Sequence, residues 1–257
     1  CIISMQIPFT NMAQGFFASV GQHLALLGNT ARSYRYIGRR KTAILAEIER
    51  GVFGSFPVVM IVGVFTGMVL AFQSGKELAD YGQETSIGAL VAVTMCREMG
   101  PVMTAYILAG LIGSTIAAEL GTMKVSEEVD ALSVMSIDPI NYLALPRIIA
   151  LAIISPILTI YTNIIGILGG ALIGYTVLDI SFPFYFRRAM DSLEMIDIYS
   201  GLFKAFIFGL TIAIVGCVQG FNAENGAAGV GKSTMKSVVI SFVSILILDF
   251  FLTWMFY

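Results

Sequence analysis

Apolar residues fall into five long blocks separated by shorter polar stretches. Residues 51–73, GVFGSFPVVMIVGVFTGMVLAFQ, carry no charge and match the roughly 20 apolar residues that cross a bilayer as a helix. A second block, 86–118, is interrupted by Arg97 and Glu98. The third, 146–178, contains Pro156 and a glycine run; the fourth, 199–219, is marked only by Lys204; the fifth, 237–257, contains Asp249. The pattern predicts an all-α membrane protein with five transmembrane helices. Ahead of them, residues 13–28 place Phe16, Phe17, Val20, Leu24 and Leu27 at helical spacing. That stretch is too short and too mixed to span, so it predicts an amphipathic helix lying in the interface. The expected division is a segment 1–50, with the interfacial helix and a basic run, and a five-span body 51–257.

Composition sharpens this reading. Hydrophobic residues make up 57% of the 257 and charged residues 12%, about half the charge of a typical soluble domain. A net charge of −2 excludes a nucleic-acid binder that works by bulk positive charge. Cys96 and Cys217 sit inside apolar blocks, which argues against a disulfide framework. With His23 the single histidine, no zinc cluster is visible, and neither a metal nor another cofactor is expected. No cleavable leader is expected at the start of the chain either, and its first residue, Cys1, reads as a numbering or trimming choice.

Lysine and arginine positions set the expected orientation. With the N-terminus inside, the inner segments hold Arg32, Arg35, Arg39, Arg40, Lys41, Arg50, Lys124, Arg147, Lys232 and Lys236. The outer segments and their flanks hold Lys76, Arg187, Arg188 and Lys204. Ten against four predicts a cytoplasmic N-terminus and an outer C-terminus. Gly63 and Gly67 in the first block, and Gly166, Gly170 and Gly174 in the third, are spaced by four. Such spacing lets helix backbones approach closely in lipid, within one subunit or between two.

One motif misleads. GAAGVGKST, residues 226–234, satisfies G-x-x-x-x-G-K-[ST] through Gly226, Gly231, Lys232 and Ser233. That pattern binds phosphates only between a strand and a helix of a soluble α/β domain. Its flanks here are two spans, so a glycine-rich cytoplasmic loop over 220–236 is expected instead.

The segment from Glu84 to Arg147 contains REMGPV, then AAELGTMKVSEEVDAL, then a DPI–LPR close. Together with GVFTGMVLAFQ in the first block and LDFFLTWMFY at the end, it resembles the MlaE family of permeases. These are membrane subunits of ABC transporters that move phospholipids between the inner and outer membranes and maintain outer-membrane lipid asymmetry. The resemblance implies a homodimer in the bacterial inner membrane, with its C-terminus periplasmic. It also implies a separate cytoplasmic ATPase that hydrolyses the ATP, a STAS-domain subunit and a periplasmic MCE-domain hexamer. This chain would then be a transport subunit, not an enzyme. One departure stands out: AGLIGS holds Leu111 where the family usually has arginine.

The resemblance directs attention to two groups of residues. Arg97 and Glu98 interrupt a span, where an unpaired charge is costly, so each faces either a cavity or an ionic partner. Gly100 and Pro101 follow and are expected to kink or unwind the helix. The ionic partners foreseen for the two are Glu119, Lys204 or Asp249; Arg97 fits both readings, and for Glu98 the resemblance favours a lipid cavity at the dimer interface. Leu70, Phe72, Gln73 and Tyr81 are candidate lining residues. The second group is the polar stretch 122–139, expected to form a short cytoplasmic helix stopped by Pro139. Ser126 would cap it, with Glu127 and Glu128 in the first turn. Val125, Val129 and Leu132 share one face, with Lys124 and Asp130 elsewhere. The resemblance makes this segment the helix that couples to the ATPase. The competing classes are a secondary transporter using Glu98, Glu119 or Asp249 as proton carriers, and a membrane scaffold.

Overall fold

The computed structural model describes residues 40–224 and 226–257, together with Gly28. The expected interfacial helix over 13–28, apart from Gly28, and Arg32, Arg35 and Arg39 lie outside the described residues. Seven helices follow in order: α1 (Lys41–Asp80), α2 (Ile87–Val125), α3 (Glu128–Val134), α4 (Ile140–Val177), α5 (Phe182–Ser192), α6 (Met195–Phe221) and α7 (Gly226–Phe256). Five of them, α1, α2, α4, α6 and α7, are long and apolar enough to cross a membrane. Because they alternate in direction, the bundle has two ends. One carries Lys41 and α3, the other Tyr81 and α5.

Helix α1 buries Gly51, Ser55, Val59, Gly63, Gly67, Ala71 and Gly75, a row four residues apart along nearly its whole length. Small side chains on one face allow backbone to touch backbone, the main source of helix association in lipid. This row lies on α4: a Cβ on Gly63 would sit 3.3 Å from the Thr162 carbonyl oxygen, and one on Gly67 would collide with the backbone of Gly166. The glycine spacing therefore serves packing within the subunit. Gly170 and Gly174 do something different. With Gly88 they cradle Tyr185 of α5, which is 1% exposed; its burial pushes the phenol up, well above its ordinary range. Of the five spans, α6 is the most buried and α7 the least. The buried face of α7 is again a row of four-residue steps, Ser233, Ser237, Ser241 and Ile245.

The structure corrects several expected boundaries. The helices run past the apolar blocks into their polar flanks, so α1 continues beyond the block 51–73 to Asp80. At Gly100 and Pro101 themselves α2 stays α-helical. The irregularity comes just before them, as a π turn over Met95–Met99, and Pro101 sits in the first turn of the α-helical segment that follows. A second π turn spans Ala109–Gly113. The glycine-rich loop shrinks at both ends, because α6 runs on to Phe221 and α7 already begins at Gly226. The short helix is α3, Glu128–Val134. Ser126 does not cap it: α2 runs on to Val125 and Ser126 terminates α2. Glu127 then takes a left-handed conformation, φ 62°, to turn the chain into α3. Pro139 does not stop α3, which ends at Val134; the proline leads into the π turn Ile140–Ala144 that opens α4.

Candidate functional site

At the Tyr81 end, α2, α6 and α7 bring their charged side chains together. The π turn of α2 carries Arg97 and Glu98, which point to different partners. Arg97 Nε donates to Asp197 Oδ1 at 2.6 Å, and its guanidinium lies 4.4 Å from the centroid of the Tyr257 ring. Asp197 is fully buried. It also closes a capping box with Glu194 at the start of α6 and accepts a 3.0 Å hydrogen bond from the Tyr257 hydroxyl. Burial foremost raises the Tyr257 phenol above its ordinary range, so it stays protonated as a donor.

Glu98 belongs to a second centre. Its Oε2 lies 2.7 Å from Lys204 Nζ, and its Oε1 accepts from Thr253 at 3.0 Å. Lys204 is fully buried; an unpaired ammonium there would cost several kcal/mol. Four oxygens surround it: Glu98 Oε2, Asp249 Oδ1 at 3.1 Å, Thr253 Oγ1 at 2.6 Å and the Arg97 carbonyl at 3.2 Å. The last contact has a covalent cause. In a regular helix the Arg97 carbonyl would accept from the N–H four residues on, but that residue is Pro101, which has none. The lysine supplies the missing donor.

Of the ionic partners foreseen for this region, Lys204 holds Glu98 with Asp249 beside it, whereas Arg97 pairs with Asp197, which was not foreseen. Glu119 lies at the Lys41 end, 2.7 Å from Arg50 and 3.0 Å from Arg147. Of the lipid-facing candidates, Leu70 and Gln73 line an apolar groove of about 520 Å³ between α1 and α2, with Phe65, Val69, Met99 and Met103. Arg97 and Glu98 do not line this groove; they share the π turn with Met99 but reach towards α6 and α7, and the Glu98 side chain keeps 28% exposure. Phe72 and Tyr81 are not in the groove. Phe72 faces outward with the Lys76 ammonium 4.5 Å from its ring centroid, and Tyr81 is 82% exposed beyond the end of α1. Sequence reasoning missed Asp197, Ser200, Thr253 and Tyr257. Their signal was spacing: Asp197, Ser200 and Lys204 fall on one face of α6, and Asp249, Thr253 and Tyr257 follow one another by four along α7.

At the Lys41 end, Lys124 pairs with Asp130 across the α2–α3 turn at 2.8 Å. Val129 is buried and holds α3 down over a cavity of about 420 Å³ whose walls include Lys124, Pro139, Val218 and Phe221. Glu127 and Glu128 are exposed, Leu132 is half-buried, and Val125, at 37%, and Val134, at 86%, present apolar surface beyond the bundle. The GAAGVGKST stretch forms the first turns of α7, so beyond its opening turn the backbone N–H groups are committed to the helix. Ser233 is buried and cannot reach a metal-bound nucleotide.

A model of the family described as permease MlaE matches residues 44–255. The chain belongs to the MlaE permease family. Within it, the chain is 43% identical to a Rickettsia prowazekii protein named probable ABC transporter permease, over 80% of this chain and 79% of that one. It is 36% identical to a protein of the same description from Synechocystis, over 98% and 93%. The Arabidopsis thaliana chloroplast protein named TRIGALACTOSYLDIACYLGLYCEROL 1 is 39% identical over 83% of this chain and 61% of its own. This MlaE permease is thus a multi-pass membrane protein and an ABC transporter permease, a transport subunit. Its Leu111, the departure in AGLIGS, lies inside the second π turn.

Proposed function

We propose that this permease moves phospholipids between the inner and outer membranes and so sustains outer-membrane lipid asymmetry. The observation that carries the reading is the apolar groove lined by Leu70, Gln73, Met99 and Met103, backed by the Glu98–Lys204–Asp249 centre. A lipid needs an apolar wall with few polar groups, and Thr66 and Gln73 are the polar side chains on this one. The name of the Arabidopsis relative contains a lipid, which supports the same class of cargo. Arg97 and Glu98 act at the headgroup level, Leu70 and Gln73 along the chains, and Phe72 and Tyr81 at the outer mouth.

The working unit is a homodimer in the bacterial inner membrane, N-terminus cytoplasmic and C-terminus periplasmic. It operates with a cytoplasmic ABC ATPase, a STAS-domain subunit and a periplasmic MCE-domain hexamer. The ATPase engages α3 and its approaches, Lys124, Val125, Glu127, Glu128, Val129, Asp130 and Leu132. The Lys124–Asp130 pair ties α3 to the end of α2, so a push on α3 travels along the helix that carries both π turns. The test is isolation from native membranes followed by reconstitution. An ATPase and an MCE-type subunit should co-purify, lipid transfer should require ATP, and a photoreactive residue at position 73 should capture phospholipid. Transfer that runs on a proton gradient without the ATPase would instead favour the proton-coupled reading, which the sharing of Lys204 by Glu98 and Asp249 serves.

A further inference from the structure

A second cavity, of about 270 Å³, lies between α1 and α2 at the Lys41 end, far from the groove described above. Its lining is graded. Glu47, Arg50 and Glu119 stand at the mouth, where both helices leave the apolar block, while Gly54, Leu111, Ile112 and Ile116 line the depth. The space is built in by two features. A Cβ on Gly54 would meet nothing within 4 Å, and Leu111 belongs to the π turn Ala109–Gly113, which adds a residue to the helix at this level.

The charges at the mouth are wired in an unequal way. Arg147 is buried at 7% exposure and holds Glu119 at 3.0 Å and Glu47 at 3.5 Å. One of its guanidinium nitrogens, Nη1, is buried with no hydrogen-bond partner. Arg50 also binds Glu119, at 2.7 Å, yet its side chain is 66% exposed. Glu119 can therefore release Arg50 and stay paired to Arg147. The freed guanidinium would suit a phosphodiester, and Glu47, already far from ideal geometry with Arg147, would suit a nearby ammonium.

We infer that this cavity is a binding site for a zwitterionic aminophospholipid, with phosphate on Arg50, ammonium on Glu47 and the upper acyl chain against Leu111, Ile112 and Ile116. Two carboxylates beside two cations leave no net attraction for a purely anionic headgroup, which selects a headgroup carrying both signs. The inference rests on the reading of the chain as a phospholipid permease and adds a loading site in the leaflet at the Lys41 end.

The test places a photoreactive residue at position 111 of the full complex. The complex sits in nanodiscs of equimolar phosphatidylethanolamine, phosphatidylglycerol and diacylglycerol, and captured lipid is read by mass spectrometry. Phosphatidylethanolamine should dominate. Arg50→Gln and Glu47→Gln should each lower its capture by about tenfold, ~1.4 kcal/mol, while Arg50→Lys retains most of it. Excess free phosphoethanolamine should not displace the lipid, because the apolar wall needs an acyl chain. Equal capture of all three lipids, indifference to Arg50→Gln, or displacement by the free headgroup would each overturn the site. The two readings fail separately. Selective capture at 111 in a complex with no lipid transfer would sink the transport reading alone; intact transfer with unselective capture would sink this one alone.

Discussion

Lys204 of α6 donates to the backbone carbonyl of Arg97 in α2 at 3.2 Å, filling the place of the N–H that Pro101 lacks. The lysine is therefore a backbone partner as well as the counter-ion of Glu98 and Asp249. Replacing it leaves Asp249 and the carbonyl without this partner and Glu98 with Thr253 alone. Lys204→Met should destabilise the subunit by roughly 3–5 kcal/mol, the usual cost of breaking a buried pair from one side. Pro101→Ala restores the helical N–H, so the double variant should lose less than the sum of the two single changes. Unfolding of the purified protein in a detergent titration measures all three; strict additivity would refute the link between lysine and proline.

Tyr257 offers a cleaner dissection. Tyr257→Phe keeps a ring beneath the Arg97 guanidinium but removes the hydroxyl contacts to Asp197 and Ser200. A loss of about 1 kcal/mol is expected, and more for Tyr257→Ala, which also removes the cation–π contact. Equal losses in the same unfolding assay would show that the ring contributes nothing.

Close approach of α1 and α4 predicts a sharp contrast among glycines. Gly67→Ala would drive a methyl into the Gly166 backbone, whereas Gly231→Ala meets open space. The first should reduce folded yield and thermal stability severely, and the second should leave both unchanged. A tolerated Gly67→Ala would mean that the two helices separate freely.

Asp130→Lys reverses the charge facing Lys124, and Leu132→Asp places a carboxylate on the apolar face of α3. Both variants should insert and assemble normally yet uncouple ATP hydrolysis from lipid transfer in reconstituted complexes. Normal transfer by both would remove α3 from the coupling path.

Lys232→Ala, on the outer face of α7, should leave nucleotide binding by the complex unchanged. An ATP analogue should label the partner ATPase. Specific labelling of Lys232 would restore the phosphate-loop reading.

The five spans were legible because uncharged blocks of bilayer length have few other uses. Their ends were not, since polar helix formers such as Lys76, Glu77 and Lys124 continue a helix as readily as they leave it. Both π turns were invisible: MCREM and AGLIG have no composition that marks an extra residue per turn, although charge in mid-span did flag the first. Leu70 and Gln73 were found from their position at the end of an apolar block. Phe72, between them, was assigned to the same wall although neighbouring residues on a helix diverge by about 100°. Ser126 was misread because a serine that terminates one helix looks the same, in sequence, as one that starts the next.

The seam along α7 has a consequence for how the protein is made. This helix is the least buried of the spans, yet its inner edge runs Ser233, Ser237, Ser241, Asp249, Thr253 and Tyr257, with Ser237 reaching the Gly113 carbonyl and Asp249 reaching Lys204. Emerging after α1, α2, α4 and α6, it joins helices that precede it in the chain, and directional polar contacts align it where bulk apolar contact could not. Until it arrives, Lys204 lacks Asp249 and Thr253 and Arg97 lacks its aromatic cover. A bundle without α7 thus carries under-partnered intramembrane charge, which is costly in lipid.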